Sequence, residues 1–237
     1  MADRFYARFN LSRKDFLELK EEFDLFQKKR AENLKKEFPN EVAALENKKV
    51  LFIGDSITSD NLGYRNSVSL AANLNAVNGS VSSSTSATLL ESSLKLIESE
   101  NAEIVSIMIG TNDSISIQNP GLNQVALEEY SSNMEKIITK AKECGSKILL
   151  FAIPFIEEEL FASYFNPRGK FQTNKTVELY NDRLSQIASE NGISLIKHSW
   201  FTGEDLKPFL EPDGVHLSVK AQELFAKNWL INARNLI

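Results

Sequence analysis

The chain has 237 residues, 42% of them hydrophobic, enough to bury one sizeable core, and no composition shift after about residue 50 marks a second domain. Its 27 Lys and Arg against 32 Asp and Glu give a formal charge of −5 without any dense basic block, which leaves no electrostatic footprint for nucleic acid or an anionic membrane. The single cysteine, Cys144, excludes an internal disulfide and reads as a small apolar residue, while two histidines without a Cys/His cluster leave little material for a zinc site. Any catalysis is therefore expected to use ordinary side chains, with neither metal nor cofactor.

The N-terminus lacks the apolar stretch and cleavage site of a secretory signal, and no later run is long and apolar enough to span a bilayer, so a soluble, cytoplasmic protein is expected. Ser12 to Phe38 reads as a charged amphipathic helix: Ser12 and Asp15 resemble a capping pair, and Phe16, Leu19, Phe23 and Phe26 recur at spacings of three and four. Pro39 ends the pattern. Residues 1–47 are thus expected to form an N-terminal helical extension and residues 48–237 one domain. The helix is expected to pack on its own domain, with a homo-oligomer contact as the alternative.

From Lys49 onward short apolar runs alternate with longer helical stretches. Val50 to Ile53, Ala76 to Asn78, Ile104 to Ile109, Lys147 to Ile153 and Ile193 to Ile196 read as strands. Helical patterns lie between and after them, over Ser67 to Leu74, Ala87 to Ser99, Gln124 to Glu143, Asn174 to Glu190 and Val219 to Ala233. This alternation predicts an α/β fold with a parallel sheet covered on both faces, whose chemistry should gather at the C-terminal strand ends. Polar residues do fall there: Gly54-Asp55-Ser56 after the first strand, Asn78 to Thr85 after the second, and Gly110-Thr111-Asn112-Asp113 after the third. Pro154 to Thr173 reads as a long loop that could border a pocket.

A serine hydroxyl is a weak nucleophile, so acyl transfer from Ser56 needs a base, a group that orients the base, and donors for the developing oxyanion. His216 can serve as the base, and Asp213, three residues earlier, can reach its other ring nitrogen within one turn. Asn112 can aim its amide N–H at the oxyanion. Asp55 and Asp113 read as loop supports, and His198 as a packed or surface histidine. Glu157, Glu158 and Glu159 are adjacent, which does not place two carboxylates across a bond, and they read as a solvated charge run.

With these residues in view, Gly54-Asp55-Ser56-Ile57, Gly110-Thr111-Asn112-Asp113 and Asp213-Gly214-Val215-His216 resemble the first, third and fifth blocks of the SGNH, or GDSL-type, esterases and lipases, over roughly Lys49 to Leu236. The resemblance implies a three-layer α/β/α sandwich of flavodoxin-like appearance. It also implies Ser56 as nucleophile, His216 as base, Asp213 as its orienting acid, and an oxyanion hole made by the backbone N–H of Ser56, a second-block backbone N–H and Asn112. The second block departs from the family's Asn-x-x-x-Ser-Gly-x-Thr: here Asn78-Gly79-Ser80-Val81-Ser82-Ser83-Ser84-Thr85 puts Ser83 where glycine is usual. The N–H survives, but if the position needs positive φ, serine costs about 1 kcal/mol or more relative to glycine. An alternative register would use Gly79 instead.

The expected activity is hydrolysis of a small-molecule or carbohydrate ester, with short acyl groups favoured by a site that Ser83 narrows. An O-acyltransferase with the same residues, or a weakly active binding protein that retains the fold, are the rival expectations.

Overall fold

A computed structural model describes residues 13–199 and 205–237. The capping residue expected at Ser12 lies outside the described residues. Helix α1 (Arg13–Glu37) is followed at once by α2 (Pro39–Leu45), in which Pro39 sits in the first turn, where its missing N–H costs nothing. The chain then runs through β1 (Lys49–Gly54), the one-turn α3 (Ser56–Ser59), α4 (Tyr64–Ala71), β2 (Asn75–Asn78), α5 (Ser86–Glu100) and β3 (Ile104–Met108). It continues with β4 (Ser116–Ile117), α6 (Leu127–Glu143), β5 (Lys147–Phe151), α7 (Glu158–Phe165), β6 (Lys170–Phe171), α8 (Asn174–Glu190), β7 (Leu195–Ile196) and α9 (Val219–Arg234).

Five strands make one parallel sheet in the order β2-β1-β3-β5-β7, with Val50 beside Ile104 and Gly54 beside Met108 at the centre. Alternation along β1 separates the two faces. Phe52 points into a layer shared with Tyr64 and Val68 of α4, Phe225 and Trp229 of α9, and Ala31 and Leu34 of α1. Leu51 and Ile53 point the other way, onto Leu89 of α5, Met134 and Ile137 of α6, and Leu184 of α8. Helices therefore cover both faces, as the βα alternation predicts. Trp229 is fully buried, stacks on Phe52 and donates its indole N–H to Ser106 Oγ at 3.0 Å, which explains a serine inside the central strand β3.

Two regions differ from the expectation. The segment read as a loop over 154–173 contains α7 and β6, and β6 pairs antiparallel with β4, Ser116 opposite Phe171. These pieces carry a small separate core of Ile115, Ile156, Phe161 and Val215. In α1 the docked stripe is Gln27, Arg30, Ala31 and Leu34, all buried, whereas Leu19 and Phe23 of the expected apolar stripe are exposed. Among the described residues no helix is long and apolar enough to cross a membrane.

Candidate active site

Ser56 is the first residue of α3, just beyond strand β1, which lies beside the central strand β3. The chain turns this sharply because Gly54 has no side chain: a Cβ there would lie 2.4 Å from Thr58 Oγ1 and 2.6 Å from the Met108 carbonyl. Asp55 caps the turn, its Oδ1 accepting the Ile57 N–H at 3.0 Å. Burial pushes the Asp55 carboxyl up to about 6, against the hydrogen bonds from Ile57 and Thr111 and the nearby His216, which favour the ionised form.

The segment 213–216 reaches Ser56 from the start of α9. Asp213 Oδ1 accepts the backbone N–H of both Val215 and His216 at 3.0 Å, and its Oδ2 accepts from His216 Nδ1 at 2.6 Å. With Nδ1 donating, the opposite nitrogen Nε2 lies 2.9 Å from Ser56 Oγ. Burial works to raise the Asp213 carboxyl, but the His216 ring and the two backbone donors outweigh it and hold it at about 2. The hydrogen bond to Asp213 in turn raises His216 above the usual 6.5, with burial opposing. Gly214 has φ +74°, and a Cβ there would lie 2.5 Å from Phe161 N and 2.7 Å from the Glu157 carbonyl. The Glu157 N–H donates to the Gly214 carbonyl at 2.9 Å, so the start of α7 fixes this loop from behind.

The loops after β2 and β3 flank the exit of β1. The second-block loop is tied to β1 by Gly79 N–H to the Phe52 carbonyl at 2.8 Å and Val81 N–H to the Gly54 carbonyl at 3.1 Å. Asn112 Nδ2 donates to the Ser84 carbonyl at 3.0 Å, which engages one amide proton and joins the two loops. Ser83 is exposed and has φ +63°, so the serine does adopt the left-handed backbone that favours glycine. Asp113 is buried and accepts the Ser86 N–H and hydroxyl at the start of α5, with burial pushing it up to about 6.

Ser56, Asp213 and His216 are thus brought together by direct hydrogen bonds, and Ser83 and Asn112 by their shared neighbour Ser84. The chain as a whole is similar to known proteins. Residues 52–224 match the GDSL-like Lipase/Acylhydrolase family. The chain belongs to that family. A curated relative, the isoamyl acetate-hydrolyzing esterase of Saccharomyces cerevisiae, is 24% identical over 131 residues, and the match spans 53% of this chain and about half, 54%, of that protein. Among solved structures, an arginine-to-alanine mutant of Axe2, an acetyl-xylooligosaccharide esterase from Geobacillus stearothermophilus, superposes with a TM-score of 0.61 at 25% identity, covering 78% of this chain and 94% of that one. TesA superposes with a TM-score of 0.61 at 24% identity, covering 79% and 99%.

Around the site of this family member, three amide side chains escaped the sequence reading. Asn181 on α8 accepts the Ile153 N–H at 2.7 Å and donates to the Ile153 carbonyl at 2.9 Å; Asn174 treats Ile156 in the same way, at 2.8 and 2.9 Å. Each imitates a strand partner for backbone that has left β5. Gln172, after β6, donates to the Thr111 carbonyl at 3.0 Å and Ser114 Oγ at 2.7 Å, holding the loop that carries Asn112. Tyr180 is buried and donates its hydroxyl to the Val125 carbonyl. His198 is buried, with Nε2 donating to the Ala152 carbonyl at 2.8 Å, and burial lowers it to about 4. It lies outside the Ser56 cluster. Cys144 is half-buried at the end of α6.

Proposed function

We propose that this chain is a serine-dependent carboxylic ester hydrolase that works through an acyl-enzyme on short acyl esters of a sugar or another small metabolite. The observation that carries the reading is the unbroken hydrogen-bond chain from Asp213 through His216 to Ser56 at the C-terminal edge of the sheet. Neutral His216 takes the Ser56 proton at Nε2 as Oγ attacks the ester carbonyl. Asp213, ionised across the working pH range, keeps the other nitrogen protonated and stabilises the imidazolium that forms.

The carbonyl oxygen becomes negative as the tetrahedral intermediate forms. The second amide proton of Asn112 and the backbone N–H groups of Ser56 and Ser83 are the donors assigned to it. His216 returns the proton to the departing alkoxide, giving an alcohol and an acyl-Ser56 ester. Water then attacks the acyl group with His216 again as base, which releases the carboxylic acid and restores the serine.

Preference for short acyl groups is supported by the serine at position 83, which carries a side chain where the family's usual glycine has none. Two relatives, an isoamyl acetate-hydrolyzing esterase and an acetyl-xylooligosaccharide esterase, act on acetyl esters, which points the same way. The test is a panel of p-nitrophenyl esters from acetate to octanoate, together with acetylated sugars, run on wild type and Ser56→Ala. Acetate turnover lost in Ser56→Ala is the expected result. Equal rates in the two proteins overturn the reading, and octanoate cleaved faster than acetate overturns the acyl preference.

A further inference from the structure

Helix α1 lies outside the part of the chain that matches the family, which begins at residue 52. Its buried stripe nevertheless contains two long polar side chains, Gln27 at 5% exposure and Arg30 at 3%. Both point at the four-residue connection between α3 and α4, the stretch of chain that immediately follows the serine turn. Gln27 Nε2 donates to the Asn61 carbonyl at 2.8 Å and Arg30 Nη1 to the Leu62 carbonyl at 2.5 Å. Gln27 is itself oriented by Ser67 Oγ, which donates to its Oε1 at 2.8 Å.

This connection sets the end of α3. The Asp60 N–H donates to the Ser56 carbonyl at 3.0 Å, and Asp60 then closes the turn by accepting the Leu62 N–H at 2.9 Å and the Gly63 N–H at 3.1 Å. A four-residue helix has too few internal hydrogen bonds to hold its own geometry, so the position of Ser56 depends on what fixes the two ends. β1 and Asp55 fix the first end; the second is fixed by this turn and the side chains around it.

Stability alone does not account for Arg30. Among the described residues its buried Nε and Nη2 have no hydrogen-bond partner, the Glu223 carboxylate stands 3.9 Å from Nε, and the Phe26 ring centroid lies 5.4 Å from the guanidinium carbon. A well-packed apolar side chain would serve stability as well or better in such a place. The guanidinium supplies what an apolar side chain cannot, a fixed donor on the Leu62 carbonyl.

We propose that α1 is a brace for the serine turn and that Gln27 and Arg30 are positioning residues, which set the placement of Ser56 by holding the Asn61 and Leu62 carbonyls. The proposal rests on Ser56 as the nucleophile. It assigns to a segment outside the family match a direct share in the rate of acylation.

The test compares wild type with Gln27→Met, Arg30→Met, the double variant and Arg30→Lys, and uses Lys20→Ala, at an exposed ion pair on the same helix, as control. Active sites are titrated with a p-nitrophenyl alkylphosphonate, whose label is mapped by mass spectrometry. Only folded molecules are counted, so partial unfolding lowers the titre and leaves the rate per site untouched. The double variant is expected to lose about tenfold in kcat per titrated site with KM within about twofold, because a small misplacement of the nucleophile affects the transition state more than binding. Each single methionine variant is expected to lose less, Arg30→Lys to recover most of the arginine's share, and Lys20→Ala to match wild type. If kcat per site is unchanged in every methionine variant that folds while Tm falls, α1 only stabilises the fold and the proposal is overturned. If the label in wild type is absent from Ser56, the nucleophile assignment fails first and takes the brace with it.

Discussion

On the side of Ser56 that faces the base, each contact is short and doubly secured: Asp213 accepts three N–H donors, His216 is held at both nitrogens, and Gly214 is wedged against Phe161 and Glu157. On the side that faces the donors, the loop is tied down at Gly79, Val81 and Ser84, but Ser83 itself stands exposed with φ +63°. Glycine would adopt that backbone without cost, whereas serine retains the N–H at a cost of about 1 kcal/mol. The difference separates two questions. In the proposed mechanism the base and nucleophile decide whether an acyl-enzyme can form, and the second-block loop how fast and with which acyl groups.

The largest effect is expected from Asp213→Asn. The substituted amide can still accept the Val215 and His216 N–H groups, but it presents an NH2 to His216 Nδ1 and forces the proton onto Nε2, the wrong tautomer for taking a proton from Ser56. A fall in kcat of about 10³–10⁴-fold is expected with the fold intact, measured by steady-state kinetics and circular dichroism. Next in size is Asn112→Ala, which removes one donor to the oxyanion and the link to Ser84; kcat is expected to fall about 10²–10³-fold with little change in KM.

A smaller effect lies in the pH profile. His216 must be neutral to act as base, and Asp213 raises it above 6.5, so kcat/KM is expected to rise with pH along a limb centred above 6.5. Stability runs in the opposite sense. A raised folded-state pKa stabilises fully below the unfolded value and is lost as pH climbs through the folded value, so His216 favours the fold on the acid side, where the enzyme is least active. Asp213, held at about 2, contributes stability that persists above the ordinary carboxylate range and disappears as pH falls toward 2. Measuring kcat/KM across pH 5 to 9 and Tm across pH 2 to 9 checks these signs together. The smallest effect expected is that of Ser83→Gly: a gain of about 1 kcal/mol in unfolding free energy from relief of positive φ, with longer acyl esters accepted better. Unchanged acyl selectivity in that variant would remove Ser83 from the specificity argument.

Much of the fold was legible because the central strands are predominantly apolar runs, Ser106 in β3 excepted, and each covering helix repeats at three and four, so the order of elements and the polar strand ends followed directly. The positions of Ser56, Asn112, Asp213 and His216 were legible for the same reason: their blocks fall at strand ends or just before the last helix. The parts that escaped have no period to read. Phe161 and Phe165 of α7 pack into a core of only a few residues, and β4 and β6 are two residues each, too short for alternation to register. Asn174, Asn181 and Gln172 pair with backbone through single side chains, which leaves no pattern in sequence. In α1 the phenylalanine repeat pointed to the wrong stripe, because the docked face is anchored by Gln27 and Arg30, residues that normally mark a solvated side. The left-handed conformation of Ser83 was conditional in the sequence and became a fact only in the structure.

In the proposed mechanism Ser56 carries the acyl group. The most direct measurement is peptide mapping by mass spectrometry after inactivation with a p-nitrophenyl alkylphosphonate, which forms a stable analogue of the tetrahedral intermediate on the attacking oxygen. One phosphonyl group per chain, on Ser56, rising in step with loss of esterase activity and absent in Ser56→Ala, is the predicted result. Complete inactivation with the label on another residue, or Ser56→Ala that still turns over p-nitrophenyl acetate at the wild-type rate, would contradict it.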